Sequence, residues 1–149
     1  MLEVLTVPIP EFRDDGCLPE GLHCATLEEV RERFGSSSPR RRELMPHVEE
    51  WFEMAKSIQA RRFVLDGSFV TEKDSPNDVD AIMLLPADFQ QRISRSDPVA
   101  WEIEHCVRYK SPPELFVTYS EDRWNSLVEF FCRQRGVDSR PKGLIEVVL

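Results

Sequence analysis

The stretch "GSFVTEKDSPNDVD", residues 67–80, places a Gly-Ser pair shortly before an Asp-x-Asp pair. Alternate residues of a strand point to the same face, so Asp78 and Asp80 are expected to project together. Two neighbouring carboxylates repel each other unless a cation lies between them. Mg²⁺ (or Mn²⁺) suits this position because it takes hard oxygen ligands, commonly one or two carboxylates plus phosphate oxygens. The residue types and their spacing therefore predict a metal site at the start of a strand.

Gly67, Ser68 and Lys73 are the candidate phosphate-binding residues. A glycine lets the backbone approach a ligand closely, and the N–H groups of a turn into a short helical segment can hold a phosphate. The Ser68 hydroxyl can add a hydrogen bond, and Lys73 is near enough in sequence to reach the same phosphate.

A purely structural alternative exists for the same residues. "SPND" is a good turn signal, so Asp78 could cap that turn, Asp80 could accept a salt bridge and Lys73 could be a surface lysine. A carboxylate at the mouth of the apolar strand "AIMLL" is nevertheless costly without a function. This cost favours the phosphate-metal site.

Periodicity and end signals predict the elements that position these residues. Thr26 and Glu29 form a capping box for a helix that ends at Gly35, and Ser38 with Pro39 begins a long amphipathic helix. The stretch before Thr26 is expected to form turns. Later helices are expected from Asp97 onward and around Trp124–Phe131, and strands are expected at "RRFVLDGS", "DVDAIMLLP", "ELFVTY" and "GLIEVVL". The prediction is a single α+β domain over residues 1–149.

Composition limits the classes of function. The chain of 149 residues has a formal net charge of −8, which argues against a large nucleic-acid interface. No apolar run reaches the roughly 20 residues that span a bilayer, and the N-terminus lacks a signal-peptide pattern, so a cytoplasmic protein without membrane association is expected. The cluster Arg40–Arg42 is either a solvated helix start or a patch for phosphate or an acidic partner. The four cysteines are expected to be free and mostly buried.

The Gly-Ser and Asp-x-Asp pairs resemble the motif of the polymerase-beta type of nucleotidyltransferase fold. The blocks "LPEGLHCATLEEVRERFG", "RRREL", "VLDGSFVTEKDSPNDVD", "ELF" and "PKGLIEVVL" further resemble a family of short bacterial nucleotidyltransferase-like proteins. The resemblance implies a mixed β-sheet flanked by helices, with the site at one edge of the sheet. It also implies that Asp78 and Asp80 hold Mg²⁺ and that Gly67 and Ser68 bind the phosphates of an NTP, with ATP the expected nucleotide.

In that fold a third carboxylate on the next strand completes the metal site and activates the attacking hydroxyl. It is usually Asp, whereas this chain offers Glu114 in "SPPELFVTY" as the best-placed residue. Glu114 is therefore predicted as the third catalytic and metal-binding residue. Glu104 and Asp122 are weaker substitutes because both are expected on solvated helix surfaces.

Two main functional hypotheses follow from the resemblance. The first is an enzyme that transfers a nucleoside monophosphate from an NTP to a hydroxyl of a protein or small molecule, in a toxin–antitoxin or phage-defence pair. The second is an inactive nucleotide-binding or contact-only antitoxin that works through a protein partner. An aminoglycoside-type enzyme ranks last, because the chain has little length for the helices that enclose such acceptors. Trp51, Trp101 and Trp124 are expected in the core and not as base-stacking surfaces.

Overall fold

The computed structural model describes residues 7–109, 114–133 and 140–149, and these form a five-stranded mixed sheet with helices on both faces. The sheet order is β1-β5-β2-β3-β4; β2 runs antiparallel to β3 and β5, whereas the β1–β5 and β3–β4 pairs are parallel. The strands are β1 Gly21–Ala25, β2 Arg62–Asp66, β3 Asp80–Leu84, β4 Glu114–Thr118 and β5 Gly143–Val147. The helices are α1 Leu27–Phe34, α2 Pro39–Ile58, α3 Phe89–Ser94, α4 Pro98–Tyr109 and α5 Glu121–Cys132, and a short 3-10 helix spans Ser68–Val70. The predicted α+β architecture with a mixed sheet flanked by helices is confirmed.

Successive residues of the central strands are apolar and point to opposite faces of the sheet, so both faces are buried. Phe63, Leu65 and Ala81 belong to the larger core, which also contains the apolar residues of α1, α2 and α4. Val64 and Ile82 point the other way and pack in a smaller core with Trp124 and Phe131 of α5. Each β-strand of this central pair is therefore covered on both sides, which explains its nearly continuous apolar sequence.

The predicted helix starts are found where the sequence places them. The Thr26 hydroxyl accepts a hydrogen bond from the Glu29 N–H while the Glu29 carboxylate accepts one from the Thr26 N–H, so the capping box is present. Ser38 caps α2, and Pro39 is its first residue. No helix in the described ranges is both long and apolar enough to cross a membrane.

Two elements were not predicted. The segment Gly21–Ala25, expected to be turns, is β1, which has only one fully buried residue and forms by parallel pairing with the distant β5. Helix α3 is only six residues long and has no side-chain N-cap, so it lacks the usual sequence signals. Trp101 was also wrongly expected in the core: it is 51% exposed on α4, and its indole N–H donates to the Ile93 carbonyl.

The basic cluster at the start of α2 has a structural role that neither interpretation anticipated. Arg41 is buried, with 3% of its surface exposed, and its guanidinium donates hydrogen bonds to four carbonyls, those of Phe34, Phe69, Thr71 and Lys73. Arg40 donates to the carbonyls of Pro76 and Asn77. Helix α2 therefore fixes the loop from the 3-10 helix to β3, which is the loop that carries the Gly-Ser and Asp-x-Asp pairs.

Replacing Arg41 should destabilise the protein strongly. Arg41→Met keeps helix propensity and much of the aliphatic stem but leaves buried carbonyls without donors, so the free energy of unfolding should fall by about 3 kcal/mol or more. Urea denaturation measures this change. The neighbouring Arg42 is exposed, and Arg42→Met is the matched control, which should change stability by no more than about 0.5 kcal/mol. Equal effects of the two substitutions would contradict the role given to Arg41.

Candidate functional site

Three acidic residues lie side by side where β2 ends and β3 and β4 begin. Asp66 is the register partner of Asp80 on the antiparallel pair, and Glu114 is the register partner of Asp80 on the parallel pair. Register partners in neighbouring strands project to the same face of the sheet. The site therefore lies at one end of adjacent strands, on the face that α5 covers.

The Gly-Ser turn and Asp78 are joined by hydrogen bonds. Asp78 Oδ1 accepts from the Ser68 N–H and from the Ser68 hydroxyl, both at 2.8 Å. The same hydroxyl oxygen accepts from the N–H groups of Asn77, at 2.8 Å, and Asp78, at 3.2 Å. Ser68 thus closes the loop between the two predicted motifs.

Gly67 is required by the geometry of this turn. Its φ of +92° lies in a region that residues with a side chain rarely adopt. A Cβ atom there would also lie 3.0 Å from the Asp78 carbonyl oxygen and 3.2 Å from Asp78 Oδ1. The close approach of the turn to Asp78 depends on this glycine.

One cavity of about 620 Å³ brings together most of the predicted site. Gly67, Ser68, Lys73, Asp78 and Asp80 all line it. Glu114 does not line this cavity but a separate one of about 380 Å³, beside Phe116 and Leu127. Five predicted residues are therefore placed together, and the sixth lies next to Asp80 on the neighbouring strand.

Asp66 and Lys142 also line this cavity, and sequence reasoning missed both. Their side chains are 5% and 15% exposed, and Lys142 Nζ lies 2.8 Å from Asp66 Oδ1. Asp66 had a usable signal, since burying a carboxylate at the end of the apolar run "FVL" costs as much as burying Asp80 at the start of its strand. Lys142 had none, because it reaches the site only through the pairing of β5 with β2.

Asp80 has the largest pKa shift of these carboxyl groups. Burial raises its pKa to about 7, together with repulsion from Asp78, Asp66 and Glu114, while Lys142 acts in the opposite direction. Burial also raises the pKa of Asp66, against the attraction of Lys142. Among the described residues Asp80 has no salt-bridge partner.

The donor chemistry of the cavity fits a divalent cation. Asp78 and Asp80 offer only oxygen ligands, and a positive charge between them would relieve the repulsion that raises the pKa of Asp80. Within the described residues no group of three or more His, Cys, Asp and Glu side chains is already arranged around a metal position. Magnesium commonly uses one or two protein carboxylates together with substrate phosphates, and this cavity supplies the two carboxylates.

The remaining acidic candidates lie elsewhere. Glu104 is on α4, where it pairs with Arg108 and lines a cavity of about 460 Å³ between α3 and α4. Asp122 is exposed in the first turn of α5. Neither lines the cavity of Asp78 and Asp80.

Asp80 should make the metal-free protein less stable as the pH rises. Its pKa is about 7 in the folded chain against an ordinary value of 3.8, so between these values the folded state holds a proton that the unfolded state releases. The stability that this proton contributes is complete below about pH 4 and is lost by about pH 7.

The substitution Asp80→Asn removes this dependence. In EDTA, the melting temperature of the variant relative to that of wild type should therefore rise between about pH 5 and about pH 8. Glu53→Gln, at an exposed position in the middle of α2, is the control and should show a constant difference. A constant difference for Asp80→Asn as well would contradict the raised pKa.

Comparisons with curated proteins and with solved structures give no match to this chain. A match is found to one protein family, described as a family of unknown function, DUF6932, and it covers residues 10–148. Since these residues include every strand and helix in the described part of the chain and the whole candidate site, the protein belongs to the DUF6932 family.

Proposed function

We propose that this protein is a Mg²⁺-dependent nucleotidyltransferase that transfers a nucleoside monophosphate from an NTP to a hydroxyl group. The observation that carries the proposal is the single cavity in which the Gly67–Ser68 turn meets Asp78 and Asp80. The raised pKa of Asp80 supports it, because a carboxylate crowded by three others has its most favourable partner in a cation. The resemblance of these same Gly-Ser and Asp-x-Asp pairs to the nucleotidyltransferase motif also supports the proposal.

Asp78 and Asp80 would hold the metal, which when bound neutralises charge on the triphosphate. Ser68 then has two donors for a phosphate oxygen, its N–H and its hydroxyl, which in the structure both contact Asp78. Lys73 lines the same cavity and is exposed, so its ammonium group can approach the outer phosphates. ATP remains the expected nucleotide.

The reaction would be an in-line displacement at the α-phosphorus. The acceptor oxygen forms a bond to phosphorus while the bond to the bridging oxygen breaks, and pyrophosphate leaves with the electron pair. The proton of the acceptor hydroxyl passes to a carboxylate. Asp66 and Glu114 are the two candidates, since both flank Asp80. The acceptor is a hydroxyl of a protein or small molecule, and a toxin in a toxin–antitoxin or phage-defence pair is the partner we favour.

Two contacts within the site favour a second function, that of an inactive binding protein. Ser68 and Asp78 already satisfy each other, and Lys142 already neutralises Asp66. A site of this kind is stable without a ligand and can persist in a contact-only antitoxin. Nucleotide binding separates the enzyme from a contact-only protein, and release of pyrophosphate separates it from an inactive protein that still binds nucleotide.

Calorimetric titration with each of the four NTPs, with and without Mg²⁺, tests the proposal. Wild type should bind in a Mg²⁺-dependent manner, and the Asp78→Asn, Asp80→Asn double variant should lose this binding because it removes both metal ligands. The control is the Glu72→Gln, Asp74→Asn double variant, which changes the charge equally on the same loop at exposed positions outside the cavity. A folded wild type that binds no NTP would exclude the enzyme and favour the contact-only protein.

The proton acceptor can be identified from the rate of pyrophosphate release with water as the acceptor. Asp66 lines the cavity and Glu114 does not, so Asp66→Asn should lower kcat on the order of 100-fold and Glu114→Gln by less than about tenfold. The KM for the NTP should change little in either variant. The reverse order of kcat values would assign the role to Glu114, as the sequence alone predicts.

A further inference from the structure

Phe130 is an exposed aromatic ring at the cavity of the carboxylates. It lies in the last turn of α5, is 60% exposed and lines the same cavity as Asp78 and Asp80. The ring of Phe130 makes an edge-to-face contact with the ring of Phe131, at 5.3 Å between centroids. Phe131 is itself buried and packs against Phe116 at 5.0 Å. Phe130 therefore contacts a buried aromatic pair on one side, while most of its surface remains accessible.

From this position we propose that Phe130 is the stacking surface for the base of the bound nucleotide, an inference that rests on the proposed function. A nucleotide has an anionic end and a planar aromatic end. The cavity offers a match for each: the Ser68 turn and Lys73 for the phosphates, and Phe130 for the base. Its volume of about 620 Å³ lies within the usual range of small-molecule sites.

The other aromatic candidates are placed elsewhere. Trp51 and Trp124 are buried at 2% exposure, and Trp101 lines the cavity between α3 and α4. Phe131 shares the cavity with Phe130 but is only 8% exposed. Within the described residues, Phe130 is thus the ring that combines exposure with a place in this cavity.

The surroundings of Phe130 favour a small planar ligand over a docked protein. On the same turn of α5, Glu129 forms a salt bridge with Arg133 at 3.1 Å, and both side chains are largely exposed. The core of a protein interface is a contiguous apolar patch with few charges. A single ring beside an ion pair does not provide such a patch, whereas one ring is enough to stack one base.

The experiment compares Mg-ATP with Mg-tripolyphosphate, a probe that has the phosphates and no base. Wild type should bind Mg-ATP more tightly than Mg-tripolyphosphate by about tenfold or more, which is the effect of one base–aromatic contact. Phe130→Ala should weaken Mg-ATP binding by about five- to a hundredfold and leave Mg-tripolyphosphate binding unchanged. Phe130→Trp, which keeps an aromatic face, should restore Mg-ATP affinity. Tyr119→Ala removes an exposed ring outside the cavity and is the control.

The outcomes separate this inference from the proposed function. If wild type binds both probes and Phe130→Ala weakens both equally or neither, the stacking role is wrong and the nucleotide site stands. The stacking role is also wrong, and the nucleotide site stands, if wild type binds the two probes with equal affinity. If wild type binds neither probe, the proposed function and the stacking role fail together. Selective loss of Mg-ATP affinity in Phe130→Ala, with recovery in Phe130→Trp, establishes the role.

Discussion

The repulsion among carboxylates around Asp80 is the constraint on which the site depends. The register of the sheet places Asp66 and Glu114 on either side of Asp80, and the loop places Asp78 two residues away. A slip by one position would not relieve this repulsion cheaply, because Val64 and Ile82 would leave the smaller core, Phe63 and Leu65 would leave the larger one, and both cores would have to repack. The same apolar pattern that fixes the fold therefore holds the charges together. Lys142 offsets part of the repulsion through Asp66, and Asp80 keeps a strongly raised pKa.

A second constraint keeps the loop in place from the other side of the sheet. Helix α2 belongs to the larger core, whereas the carboxylates project toward α5, so the loop joins the two layers. The charge of Arg41 is directed at backbone carbonyls and is buried. It therefore contributes rigidity to the site and no charge to a ligand. Among the described residues, the cations that line the cavity are Lys73, Arg133 and Lys142.

Local signals in the sequence predicted the parts of the fold that local physics determines. The capping box at Thr26, the proline start of α2 and the short apolar runs of β2 and β3 were all readable, and so were Asp78 and Asp80 at the mouth of an apolar strand. Contacts between distant segments were not readable. β1 exists because β5 pairs with it, Lys142 reaches Asp66 because β5 also pairs with β2, and the burial of Arg41 depends on carbonyls from two separate segments of the chain. Glu114 was assigned from the resemblance, which implies a third carboxylate on the next strand; the structure places it beside Asp80 in register but in a separate cavity.

The contact between Ser68 and Asp78 determines what a ligand would have to replace in this site. An N–H and a hydroxyl that converge on one oxygen form a small anion-binding turn, and in this structure the anion is the Asp78 carboxylate. Under the proposed function, a phosphate would compete with Asp78 for those donors. Asp80, which is half-buried and has no salt-bridge partner among the described residues, is the group that a cation would satisfy. A cation held by Asp78 and Asp80 would compensate Asp78 for the donors that the phosphate takes, so binding of the cation and binding of the phosphate would be coupled through Asp78. Such coupling would favour a ligand that brings metal and phosphate together over one that brings either alone.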